Sequence, residues 1–437
     1  MRCCVVRLSG QLLTALLILS PLVAADEQEF SFDTEQFEPK AFQFTGYFEI
    51  EPEYARANRD GALYQLQFFG RDPDKEIDRL TGTLELEAHL RKGIASLNFQ
   101  TQSEVAWDYL GETQDHALFE GYLSLQPDPG FALDLGKKAV RWGKGYAWNP
   151  VAFVERAKDA GDPDLSREGY WIAAADWITS LEGPVQSLAL TALILPVRSE
   201  INQDFGEPGH THLAGKLYLL YRDIDIDFMF LSSGSRGAQL GMDFSKNLAP
   251  NFEVHGEFAY FNDAVHRTVT GNCKAGKPRE EDEISYLLGT RYRTSNDVTL
   301  IAEYYFNGRG NEKKDQQQFY RCVHQAWESG DQTQIDQLPL GLDLDKGPFS
   351  RPNPMRNYLN FRAWWEEPGN LLYLTPGVQV LHNLDDRSFS VAPDISYVGF
   401  ENLQLRLRAT FPVGDSLTEW GEKPNDYKIE LQARAYF

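Results

Sequence analysis

The residues of this chain best suited to act on a solute come in rows with even spacing. Asp223, Asp225 and Asp227 are two apart; Glu253 and Glu257 are four apart, and Glu303 follows further on. Towards the C-terminus the sign reverses: Arg291 and Arg293, Arg406 and Arg408, with Arg362, Lys428 and Arg434. Side chains two apart on a β-strand share a face. Such rows therefore build charged walls, whose chemistry is attraction, orientation and filtering of charged or dipolar solutes rather than bond making. His210, His212, His266, His324 and His382 fall near loop ends, and His210 with His212 has the spacing to hold a metal from one face. No Ser, Cys or Asp stands at a spacing that identifies a nucleophile beside them, so no catalytic residue and no metal site is assigned. No C-x-x-C-H haem attachment occurs, and no cofactor is expected.

The elements that carry these rows read as strands. In the closing stretch, Tyr427, Ile429, Leu431, Ala433, Ala435 and Phe437 alternate with Lys428, Glu430, Gln432, Arg434 and Tyr436. Leu403 to Phe411, Val298 to Asn307, Ile224 to Phe230 and Leu80 to Leu90 repeat the pattern. Many of these runs reach ten residues or so, near the length of a tilted transmembrane strand and longer than the five or six usual in a soluble sandwich. An all-β transmembrane antiparallel barrel is expected, with its apolar faces to lipid and its polar faces to a lumen. Short links at Phe400 to Asn402, Glu366 to Asn370, Thr294 to Asp297 and Asn247 to Asn251 alternate with long ones at Gly414 to Asp426, Gly308 to Met355, Arg267 to Asp282 and Arg198 to His212. That asymmetry separates a short-turn end from a long-loop end. Nineteen segments carry a strand signal, among them 62–69, 131–143 and 223–232. Single-chain barrels have even counts, so one segment is misread, before residue 130; about eighteen strands are expected, with sixteen and twenty open.

The 437-residue chain shows no linker or low-complexity tract, and a single barrel over 26–437 is the simpler reading. Arg2 and Arg7, the apolar run Leu12 to Val23 and the small residues Val23, Ala24 and Ala25 predict a secretory signal peptide over 1–25. The remainder carries 40 basic and 64 acidic residues, which argues against nucleic acid or anionic lipid as a partner. Aromatic residues at 13 per cent suit the girdles of a membrane barrel. Cys273 and Cys322, both in long loops, are expected to form a disulfide that pins the 308–355 loop to its neighbour, unpaired thiols being the alternative.

The segment Gly136 to Tyr170 is the most distinctive. Trp142, Tyr146, Trp148 and Phe153 among Arg141, Lys144, Arg156 and Lys158 would make an amphipathic mouth, or a packed loop at the aromatic belt. Gly136, Arg141, Trp142, Gly143, then Asn149 and Pro150, with Phe153 following, resemble the G-x-Q-x-x-x-W-G … N-P-x-D segment of poorly characterised porin-like outer-membrane barrels, with Lys138 where Gln is frequent and Ala152 where Asp is frequent. Gly46 to Tyr54 is similar to their first strand, and the terminal Phe437 resembles their assembly signal. More distantly the architecture resembles alginate-export porins. The resemblance implies residence in the outer membrane of a Gram-negative bacterium, contact with its lipid, lipopolysaccharide and barrel-assembly machinery, and an unidentified solute. It implies no enzymatic activity, and at this size favours a monomer. A substrate-selective channel is expected, open or gated; a non-conducting barrel that binds surface glycan or scaffolds an envelope complex is the alternative.

Overall fold

The computed structural model describes residues 41–437 apart from 72–75, 164, 166, 331–332 and 334–346, so the signal segment 1–25 lies outside the described residues. Eighteen strands follow one another: β1 (Phe42–Ala57), β2 (Glu76–Lys92), β3 (Ala95–Asp108), β4 (Gly111–Asp128), β5 (Phe131–Lys138), β6 (Tyr170–Ser180), β7 (Val185–Pro196), β8 (Thr211–Tyr221) and β9 (Ile224–Leu231). The second half comprises β10 (Gln239–Ala249), β11 (Phe252–His266), β12 (Arg279–Arg293), β13 (Val298–Asn307), β14 (Asn357–Trp365), β15 (Leu374–Asn383), β16 (Phe389–Phe400), β17 (Leu403–Val413) and β18 (Asn425–Tyr436). Each pairs antiparallel with the next, and β18 pairs with β1, so the sheet closes and no edge remains. At the seam Phe48 faces Ala435 and Glu49 faces Arg434. Phe437 exchanges both backbone hydrogen bonds with Gly46, at 3.0 and 3.1 Å. A Cβ on Gly46 would lie 2.5 Å from the Glu85 carbonyl and 2.9 Å from the Phe437 ring, so this crossing requires glycine.

The two-residue period decides what faces where. Phe44, Phe48, Ile50 and Tyr54 of β1, with Ile429 and Leu431 of β18, are exposed on the outer wall. Glu49, Glu51 and Glu53 point into the barrel, where they line a cavity. The links 93–94, 129–130, 181–184, 222–223, 250–251, 294–297, 366–373 and 401–402 gather at one end, and the chain leaves β1, β5 and β13 at the other.

Three sequence readings need correction. Segment 62–69 is not a strand: Ala62–Gln67 is a helix, α1. Its apolar residues satisfy a helical spacing too, with Leu63 and Leu66 on one cluster and Tyr64 and Phe68 on another, and a short apolar run does not distinguish the two. Segment 131–143 stops pairing at Lys138, where the chain turns away from the wall. Asp223 is not a wall residue: Arg222 and Asp223 both take positive φ, at 50° and 60°, as the two-residue hairpin turn between β8 and β9 demands.

A second helix, α2 (Lys313–Ser329), lies within the longest loop. Phe319, Val323 and Ala326 pack with Ala62, Leu63, Leu66, Val269 and Phe349 into a buried cluster at the long-loop end, and Cys273 is bonded to Cys322 beside it. Glu422 fastens this cap. It accepts hydrogen bonds from the backbone N–H of Ala62 at 2.5 Å and of Leu417 at 2.6 Å, and meets His324 Nε2 at 3.2 Å. Burial works to raise this carboxyl, but His324 and the two N–H groups outweigh it and hold it below its ordinary value of 4.5. Its stabilisation is complete above that value and is lost as pH falls through the lower folded one. Amide protection factors in 58–68 and 414–424, taken against the intrinsic rate at each pH, should therefore fall as pH drops below 4.5 while those of the strands hold; unchanged protection in the cap would refute this role for Glu422.

Candidate functional site

After β5 the chain leaves the wall and crosses the interior. Ala139 donates its N–H to Glu120 Oε1 at 2.8 Å, and Trp142, Trp148 and Phe153 are buried among wall residues. Gly143 carries the turn at φ 97°, where a side chain would be strained. The wall grips the turned backbone with two carboxylates. Glu257 on β11 accepts from the N–H groups of Lys144 and Gly145, both at 2.6 Å, and from Asn149 Nδ2 at 3.3 Å. Glu303 on β13 accepts from the N–H groups of Tyr146 and Ala147 at 2.6 and 2.8 Å, and His255 Nε2 lies 3.1 Å away. Both carboxylates are almost fully buried, and these donors satisfy charges whose isolation would be costly. Further along, Gln379 on β15 donates to the Ala160 carbonyl at 2.8 Å, and Arg406 and Arg408 on β17 face Asp162 at 3.1 and 3.8 Å. The segment thus spans the lumen from β5 to β17.

Two adjoining cavities along the opposite wall form the candidate passage. A cavity of about 1080 Å³ reaches the short-turn end and one of about 540 Å³ reaches the long-loop end. They share Tyr47, Gln102, Glu104, Asp162, Leu165, Gln432 and Arg434, which together define the narrow level between them. Arg434 Nε bonds Glu49 at 2.6 Å and its guanidinium lies 4.2 Å over the Tyr47 ring, so this cation is held flat against the wall. Lys428 lies 2.6 Å from Glu430 and 3.5 Å from Glu53; Arg79 lies 3.3 Å from Glu104. Among the described residues lining the two cavities, ten carboxylates face eight basic groups, so the passage carries a small negative excess.

The sequence candidates distribute as follows. Arg291, Arg362, Arg406, Arg408, Lys428 and Arg434 line the passage. Arg293 lies outside it, paired at the short turns with Asp297 at 3.0 Å and Glu366 at 2.8 Å. Asp227 is buried against Lys144 at 2.8 Å, Asp225 accepts from Tyr218, and Glu253 accepts from the Tyr146 hydroxyl at 3.1 Å; with Glu257 and Glu303 they belong to the packed side of the lumen. Arg141 is exposed, whereas Trp142, Trp148 and Phe153 are packing anchors: Trp148 stacks on Tyr305 at 5.2 Å and donates Nε1 to Asn353 at 3.0 Å. His212 has both ring nitrogens engaged, with the Ser232 carbonyl at 3.0 Å and Ser235 Oγ at 2.9 Å, and is not available to a metal. The acidic face of the passage, Glu49, Glu51, Glu53, Glu85 and Glu104, was not among the candidates, although the Glu alternation in Gly46 to Tyr54 was its visible signal.

Fold and lumen together define a closed eighteen-stranded antiparallel barrel of the kind used by outer-membrane porins, with an inward segment and an eccentric passage. No family model matches the chain, and no curated protein sequence is similar to it. Among solved structures it is similar to OccK11 (OpdR) of Pseudomonas aeruginosa, with 12% identity over 90% of this chain and 96% of that one, TM-score 0.51. OccAB1 of Acinetobacter baumannii has 10% identity over 92% of this chain and 99% of its own, TM-score 0.52. Wzi of Escherichia coli, an outer-membrane protein of group 1 capsule assembly described as a carbohydrate-binding β-barrel, has 9% identity over 91% of this chain and 84% of its own, TM-score 0.52.

Proposed function

We propose that the chain is an outer-membrane channel for small polar solutes. The observation that carries this reading is that the two cavities share Tyr47, Glu104, Asp162, Leu165 and Arg434, a polar level through which the two ends of the barrel would connect. The apolar outer wall supports contact with outer-membrane lipid and, on its long-loop half, lipopolysaccharide. The intermingled Arg and Glu side chains suit solutes that carry both charges, and the carboxylate excess gives simple ions a weak cation preference. Arg434→Gln removes a cation that lines both cavities and leaves Glu49 without its Arg434 partner. The ratio of potassium to chloride permeability should rise about twofold or more in reversal-potential measurements; a fall would contradict the assignment of Arg434 to the passage.

A non-conducting glycan-binding barrel is the second reading, supported by the packed cap of α1 and α2 and by Pro352, Asn353 and Trp420, which roof the upper cavity. Tight binding of a surface glycan by folded protein that passes no ions would favour it.

A further inference from the structure

In an acidic chain, positive charges usually find carboxylates. Arg309 and Arg351 do not: neither makes an ion pair with any described residue, although most of the passage cations do. Arg309 follows β13 at the long-loop end, exposed to solvent, with its guanidinium 3.9 Å from the centre of the Phe261 ring. Arg351 donates one guanidinium N–H to the backbone carbonyl of Arg309 at 2.8 Å, which holds its cation beside Arg309. Arg236, from the loop between β9 and β10, stacks 4.0 Å over Phe205. Both rings are buried in one apolar cluster with Phe153 of the inward segment, so the stacked guanidinium planes rest on a rigid floor. Arg351 directly precedes Pro352 and Asn353, which line the long-loop cavity.

We propose that Arg309 and Arg351 bind a doubly charged oxyanion, a phosphate or sulfate group of a soluble ligand, beside the mouth of the long-loop cavity. Stacking on an aromatic face leaves the guanidinium edges free to donate, and the planar fork of two N–H groups matches two oxygens of one such anion. Two neighbouring cations with no ion-pair partner among the described residues repel one another, and a divalent anion relieves that repulsion where chloride does so less completely. The site does not depend on conduction by the barrel.

Pyrophosphate titrated calorimetrically into the full chain, folded in neutral detergent with chloride as the only other anion, tests it. The wild type should bind one pyrophosphate, and Arg309→Gln with Arg351→Gln should weaken binding tenfold or more. Arg309→Lys, which keeps the charge and loses the fork, should fall between them. Arg293→Gln, at the short turns of the opposite end of the barrel, should bind as the wild type does. Heat-dependent gel mobility reports whether each variant is folded; if the double variant is not, the Arg309→Lys comparison decides. Absence of pyrophosphate binding by the wild type, or equal binding by wild type and Arg309→Lys together with the double variant, overturns the proposal.

Discussion

Replacing Glu257 and Glu303 together with glutamine is expected to raise single-channel conductance several-fold and to make it noisy. The two carboxylates hold four consecutive backbone N–H groups, Lys144 to Ala147, from residues more than a hundred positions away in sequence. A glutamine offers one acceptor oxygen in place of two and turns an NH₂ group towards donors. Hydrogen bonds to a charged acceptor contribute about 1.5–3 kcal/mol each, and a buried N–H left unmade costs about 1–3 kcal/mol. Losing two or more outweighs what Trp148 stacking can restore, so the inward segment should detach from β11 and β13 while the closed ladder of eighteen strands stays intact. Planar-bilayer recordings decide; a double variant with wild-type conductance would mean that the segment does not limit the passage.

The disulfide governs the second large effect. Cys273 and Cys322 lie 49 residues apart, and closing a loop of that length removes about 4 kcal/mol of unfolded-chain entropy on the chain-entropy account. The bond ties the 267–278 loop to α2, whose apolar face is the main packing of the cap. Reduction, or Cys273→Ser with Cys322→Ser, should open 308–356 to protease at concentrations that leave the oxidised protein whole, with barrel strands uncut in both. Equal resistance of the two forms would show that α1, α2 and Glu422 hold the cap without the bond.

These two devices differ in how far they were legible. The barrel was readable because a period of two makes both its faces visible at once: Tyr427 to Phe437 shows the outer wall in its apolar members and the lumen in its charged ones. The loop asymmetry was readable because Gly, Asn, Asp and Pro mark tight turns. Helix α1 was not, since ALYQLQ satisfies both periods and only its seat against α2 decides between them. Asp223 was misplaced because Arg-Asp carries no turn signature, and the left-handed pair 222–223 is imposed by the strands it joins. Glu257 and Glu303 were legible as interior charges, but their partners are backbone N–H groups, which every residue possesses and no sequence pattern marks. The acidic face of β1 to β3 lay in plain alternation at Glu49, Glu51 and Glu53; its importance follows only once the inward segment has filled the other half of the lumen.

The most direct test of the account is the reversal potential and single-channel conductance of the purified, folded protein in planar bilayers under a potassium chloride gradient. Steady openings with a weak cation preference are the predicted result, because the passage between the inward segment and β1 to β3 joins both ends and carries a carboxylate excess. A silent bilayer from protein shown to be folded and inserted would contradict it and identify the narrow level at Tyr47, Asp162 and Arg434 as a plug.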